Sequence, residues 1–248
     1  MAEVYWDLEW TLQQQGFDYA YDKRLYDRLR EGHARPVREH FTAGLDYQDK
    51  LARFVENHDE PRAAAAFAPG KDEAAAVLTF FSPGLRFFHQ GQFEGYTKRI
   101  SPHLGRAPDE MPNPRLQQFY EQLLDAVHRP AFREGQWRLL QCIPAFDGDQ
   151  SFDNFIAWSW QLPGGERLLI AVNFSAHHSQ CYVPLSFAEL GDSMWLLADL
   201  LGNARYERNG NELRSRGLYL NVAPWQYHVF DLSRVAIDTA HQEGPRLQ

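Results

Sequence analysis

Two cysteines, Cys142 and Cys181, are the only thiols in 248 residues. They stand at no metal-type spacing, and one bridge cannot staple a chain of this length, so an apolar core must hold it together. A disulfide between them stays open, although two free buried thiols in a reducing compartment are the expected state. Basic residues are also scarce: 25 Lys and Arg face 33 Asp and Glu, a formal charge of −8. No basic stripe breaks that balance, which argues against a nucleic-acid partner. The one densely charged run, Asp22 to Arg38, mixes both signs and reads as a solvated helix face. No apolar run approaches a membrane span, and Met1-Ala2-Glu3 opens no leader of basic then apolar residues. These absences lead to the expectation of a cytoplasmic protein with no membrane association, no metal and no cofactor.

Aromatic rings are plentiful, at 14% of the residues with seven Trp. Most belong in a core, but the surplus suits stacking against sugar rings. The first third of the chain alternates short β-prone pieces with helical stretches. Residues 16–21, 53–57 and 84–89 read as strands, each ending in polar side chains. Asp22–Leu29, Leu45–Leu51, Ala63–Phe67, Glu73–Phe81 and Pro114–Val127 read as helices. Such alternation predicts parallel βαβ units, in which ligands bind beyond the carboxyl ends of the strands.

After about Arg133 the pattern changes to short strands at 137–142, 155–160, 167–172, 180–183, 194–197 and 226–230. Turn signals such as Asp147-Gly148, Pro163-Gly164-Gly165 and Asn209-Gly210 separate them, as in an antiparallel β-sandwich. The expected division is an α/β unit over 1–130, a β-sandwich over 131–236 and a disordered tail over 237–248. His33, His40, His177 and His178 show no ligand spacing and read as surface residues.

The sharpest motif is Phe54-Val55-Glu56-Asn57-His58-Asp59. Read on its residues alone, it is either a polar strand end built to bind something or a turn capping the Ala-rich helix that follows. It resembles the signature at the end of barrel strand seven in the α-amylase family, glycoside hydrolase family 13. Gly16-Phe17-Asp18-Tyr19-Ala20-Tyr21 resembles strand six of that family, and Phe87-Phe88-His89-Gln90-Gly91-Gln92 resembles strand eight. Ala2-Glu3-Val4-Tyr5-Trp6 is similar to the end of strand five. In the strand-eight segment the family more often continues with Glu directly; here Phe93 intervenes before Glu94, and the role of Glu94 stays open.

The resemblance implies the C-terminal half of a (β/α)8 TIM barrel, strands five to eight, followed by the family's β-sandwich domain. It implies a retaining glycosidase acting on α-glucosidic bonds of glucans or maltooligosaccharides. Glu3 takes the place of the general acid/base and Asp59 that of the carboxylate stabilising the oxocarbenium-like transition state. His58, Asn57, Trp6 and Tyr5 are the residues expected to touch sugar, with Arg99 and His103 near the mouth. Trp10, four residues after Trp6, shares a helix face with it, either packed on the barrel or forming a rim platform.

The family's nucleophile sits on strand four within Gly-Phe-Arg-x-Asp, and no such pattern occurs here. A whole barrel takes about 250 residues and the segment up to 130 holds half of that. The chain is therefore expected to be an inactive fragment, or a start site inside a longer frame. The alternatives are a non-catalytic carbohydrate-binding chain and a partner that completes a barrel with an N-terminal half-barrel polypeptide.

Overall fold

The computed structural model describes residues 1–5, 7–101, 103 and 106–235. Trp6 and the tail over 237–248 lie outside the described residues. Along the first part run α1 (Glu9–Gln14), β1 (Ala20–Tyr21), α2 (Lys23–Glu31), α3 (Ala34–His40), α4 (Leu45–Gln48) and β2 (Leu51–Arg53). There follow α5 (Ala63–Ala66), α6 (Lys71–Phe80), β3 (Leu85–Arg86), α7 (Pro114–Val127) and α8 (Ala131–Glu134). Strands β1, β2 and β3 lie side by side in chain order and pair in parallel. Ala2 adds a parallel bridge to Ala20, which extends the arc by one more strand position. Parallel neighbours need long crossovers, and the intervening helices supply them.

Local signals explain the helix limits. Asp22 caps α2 by accepting from the Leu25 amide at 3.0 Å, and Gly32 ends it at φ +83°. Asn113 caps α7 and Pro114 occupies its first turn. The strands are shorter than the apolar runs suggested. The strand expected over 53–57 lies at Leu51–Arg53, and Phe54–Asn57 runs on beyond the ladder. The reason is packing: Phe54 and Val55 bury themselves among rings and helices without needing a neighbouring strand.

The remainder is antiparallel: β4 (Gln136–Leu140), β5 (Phe155–Gln161), β6 (Arg167–Asn173), β7 (Ser179–Val183), β8 (Met194–Asp199), β9 (Arg205–Asn209), α9 (Gly210–Ser215), β10 (Leu218–Val222) and β11 (Tyr227–Arg234). Six strands form one sheet in the order β4-β5-β6-β11-β8-β9, and β10 pairs with β7 in a second. Asn209-Gly210 does not make a hairpin turn. The Asn209 side chain accepts from the Asn211 amide and starts α9 instead.

Alternate residues of the large sheet face two cores. Ile156, Trp158, Trp160, Ile170 and Val172 pack on the α/β part. Phe155, Ala157, Leu169, Ala171 and Phe230 share a second core with β7 and β10. Both faces are covered, so β5 and β6 read as continuous apolar runs. The indoles of Trp158 and Trp160 both donate to the Phe81 carbonyl, at 3.1 and 2.8 Å, fastening the sheet to the end of α6. Cys142 and Cys181 are buried and free. No helix of the described residues is long and apolar enough to cross a membrane.

His40 corrects the surface assignment. It is buried against Asp22, with Nε2 2.9 Å from Oδ2, and its ring nitrogen lies 3.1 Å from Arg53 Nη1. Arg53 also pairs directly with Asp22 and donates to Gln48 Oε1 at 3.0 Å and to the Pro83 carbonyl at 3.0 Å. This network ties β1, α3, α4 and β2 together below the strand ends. No ligand-type spacing marks it, because its members come from four separate elements.

Candidate active site

The polar loop after β2 rests on a buried ion pair. Glu56 and Arg62 are each 1% exposed, with Arg62 Nη1 2.6 Å from Glu56 Oε1. The other Glu56 oxygen accepts from the Ala63 amide at 2.7 Å, at the start of α5. Arg62 Nη1 also donates to the Gln90 carbonyl at 2.6 Å and approaches His89 Nδ1 at 2.9 Å. The segments after β2 and β3 are thereby locked to each other. Gly91, at φ +88°, makes room for this: a Cβ there would stand 2.8 Å from the Tyr96 ring and 3.0 Å from Arg62 Nη2. Inside the loop, Asn57 Oδ1 accepts from the amides of Asp59 and Glu60, both at 2.9 Å. That Asx turn presents His58 and Asp59 outward.

Asn57 therefore departs from its expected part. Its side chain is 1% exposed and shapes the turn instead of standing open to a ligand. Glu60 anchors the far side of the loop through Lys23, at 3.3 Å, and Arg30.

Glu3, Tyr5, His58 and Asp59 come together. His58 Nε2 lies 3.7 Å from Glu3 Oε1 and 3.6 Å from Asp59 Oδ2. One donor atom from each of Glu3, His58 and Asp59 falls within 4.8 Å of the others. Such a spacing is close enough to surround a cation, and it equally suits carboxyls flanking one substrate oxygen. The Tyr5 hydroxyl donates to Glu3 Oε1 at 3.3 Å. Burial first, then the charges of Glu3 and Asp59, push the Tyr5 phenol upward, so it remains a donor. The Glu3 and Asp59 side chains are 43% and 48% exposed, which leaves this face of the cluster open to solvent.

Two further residues belong to this rim. Arg99 Nη2 stands 3.9 Å from Asp59 Oδ1 and 3.4 Å from the His58 carbonyl. Tyr21, the last residue of the strand-six motif but given no role there, lies near the pair: burial, then Glu3 and Asp59, raise its phenol. Its ring packs with Phe54 and Phe87 at 5.4 and 5.5 Å, one ring from each of three successive strand ends. The signal for it was positional, since it is the last residue of β1. The His103 amide bonds Ser101 Oγ at 3.4 Å, and among the described residues its side chain meets none of Glu3, His58 and Asp59. Trp10 is 46% exposed and leans on Tyr47 at 6.1 Å. Trp6 lies outside the described residues.

A parallel arc with polar clusters at its carboxyl ends, joined to an antiparallel β-domain, is the architecture of the C-terminal portion of α-amylases. The solved structures bear this out. An α-amylase from Anoxybacillus superposes with a TM-score of 0.69 at 16% identity, over 94% of this chain and 52% of its own. The α-amylase of Geobacillus thermoleovorans, solved with acarbose, gives 0.70 at 18% identity, over 93% and 52%. A maltogenic α-amylase from Thermotoga neapolitana gives 0.63 at 16%, over 88% and 51%. The chain spans about half the length of each. No family model matches the sequence, and no curated protein matches it.

Proposed function

We propose that this chain forms one wall of an α-glucan cleft of the α-amylase type. Glu3 is its general acid/base, Asp59 the carboxylate that stabilises the transition state, and His58 and Tyr5 the groups that hold sugar hydroxyls. The observation that carries the reading is the meeting of Glu3 and Asp59 within 4.8 Å. They follow strand positions separated by β1, and strands two apart in a flat sheet stand roughly 9.6 Å apart. Their convergence fits an arc that curves toward a common axis, as strands five to eight of a (β/α)8 barrel do. On this reading residues 1–130 are the barrel portion, 131–236 the β-sandwich domain and 237–248 a tail. Two free cysteines fit a reducing compartment such as the cytoplasm.

Chemically, a retaining glycosidase needs an acid to protonate the leaving oxygen and a carboxylate nucleophile on the opposite side of the sugar. Glu3 supplies the first and Asp59 charge stabilisation. The nucleophile motif is absent, so this chain binds α-glucan without cleaving it.

A barrel-completing role has its own support. Ala2 bridges only Ala20 and β3 pairs only with β2, so among the described residues the arc offers two open parallel edges. The experiment is a reducing-sugar assay on starch. The chain alone is expected to release none. Mixed with a half-barrel polypeptide carrying strands one to four, it releases sugar, and Glu3→Gln abolishes the release. Hydrolysis by the chain alone would overturn the assignment of a missing nucleophile.

A further inference from the structure

A second cleft, of about 620 Å³, opens at the opposite ends of the strands, between the parallel arc and the first strand of the large sheet. Its walls include Arg86, Arg133, Tyr19, Trp137, Trp160 and Asp49. Arg86 donates to the Phe80 carbonyl at 2.6 Å and the Phe132 carbonyl at 3.3 Å, but no carboxylate of the described residues pairs with it. Its charge is thus desolvated without a counterion. Burial, and then repulsion from Arg133, pull the Arg86 guanidinium down to about 10. Among the described residues, Arg133 in turn bonds the His128 carbonyl, at 3.5 Å, and no carboxylate.

The indole N–H of Trp137 is buried with no acceptor, whereas those of Trp158 and Trp160 share the Phe81 carbonyl. Two like charges, Arg86 and Arg133, thus face one cavity. An oxyanion is the kind of guest that supplies the missing counterion. Asp49 is exposed on the rim and pairs with neither arginine.

We infer that this cleft binds the phosphate group of a small phosphate ester, with Arg86 and Arg133 as donors and the Tyr19, Trp137 and Trp160 rings against its apolar body. The site is independent of the Glu3 rim, since Tyr19, Asp49 and Gly84 precede β1, β2 and β3, whereas His58 and Asp59 follow β2.

The test is tryptophan fluorescence titration with phenyl phosphate and with phenol, at constant ionic strength in a buffer free of phosphate. Phenyl phosphate is expected to saturate the signal well below about 10 mM and phenol to leave it unchanged. Arg133→Gln, at an exposed position that leaves folding intact, is expected to weaken phenyl phosphate about tenfold. Equal binding of phenol and phenyl phosphate, no saturation, or an unchanged affinity in Arg133→Gln would each overturn the assignment.

Discussion

Glu56 and Arg62 form a buried ion pair six residues apart, and between them hangs the loop that carries His58 and Asp59. The pair costs desolvation to build, yet its oxygens and nitrogens also hold the start of α5 and the segment after β3. It fixes where Asp59 stands with respect to Glu3.

Removing one partner should therefore cost far more than removing both. Arg62→Met leaves an uncompensated buried carboxylate and is expected to lose about 3–5 kcal/mol. Adding Glu56→Gln to it should recover part of that loss. Urea denaturation of the two variants and the parent measures both steps.

Asp22 sets an acid limit on stability. Burial works upward on its carboxyl, and the charges of His40 and Arg53 with the Leu25 amide more than offset this, so it is held well below the ordinary carboxylate range. Glu9 and Tyr47 are its other titratable neighbours. A depressed native pKa contributes stability above the unfolded value, about 3.9, and that contribution fades as pH falls toward the native one. The slope approaches about 1.4 kcal/mol per pH unit for this group. Unfolding free energies from pH 6 to pH 3 should decline more steeply in the parent than in Asp22→Asn, which starts lower because it lacks the buried pair.

Gly84 sits at φ +111° just before β3, and a Cβ there would stand 2.5 Å from the Leu51 carbonyl oxygen. Gly84→Ala both strains the backbone and drives β3 from β2. A loss of at least about 2 kcal/mol is expected, seen as a lowered Tm with the rest of the spectrum native.

Much of this was written in the sequence and some of it was not. Pro114–Val127 announces itself through its Asn113 cap, its proline and its apolar spacing, all of them local. His58-Asp59 is legible because one turn presents both residues. The Asp22–His40–Arg53 network is not, since its members meet only through tertiary packing. Strand limits were overestimated at 16–21, 53–57 and 84–89 because an apolar run reports burial, whether or not a ladder partner lies beside it. Strand β9 was missed for the opposite reason: apart from Tyr206, Arg205–Asn209 is polar.

Isothermal titration with maltoheptaose, on the chain as it stands, tests the sugar-cleft claim most directly. Saturable binding is expected, weakened at least about tenfold by His58→Ala and by Asp59→Asn, with Tm unchanged because both side chains are exposed. Binding that ignores both substitutions, or no binding at all, would contradict it.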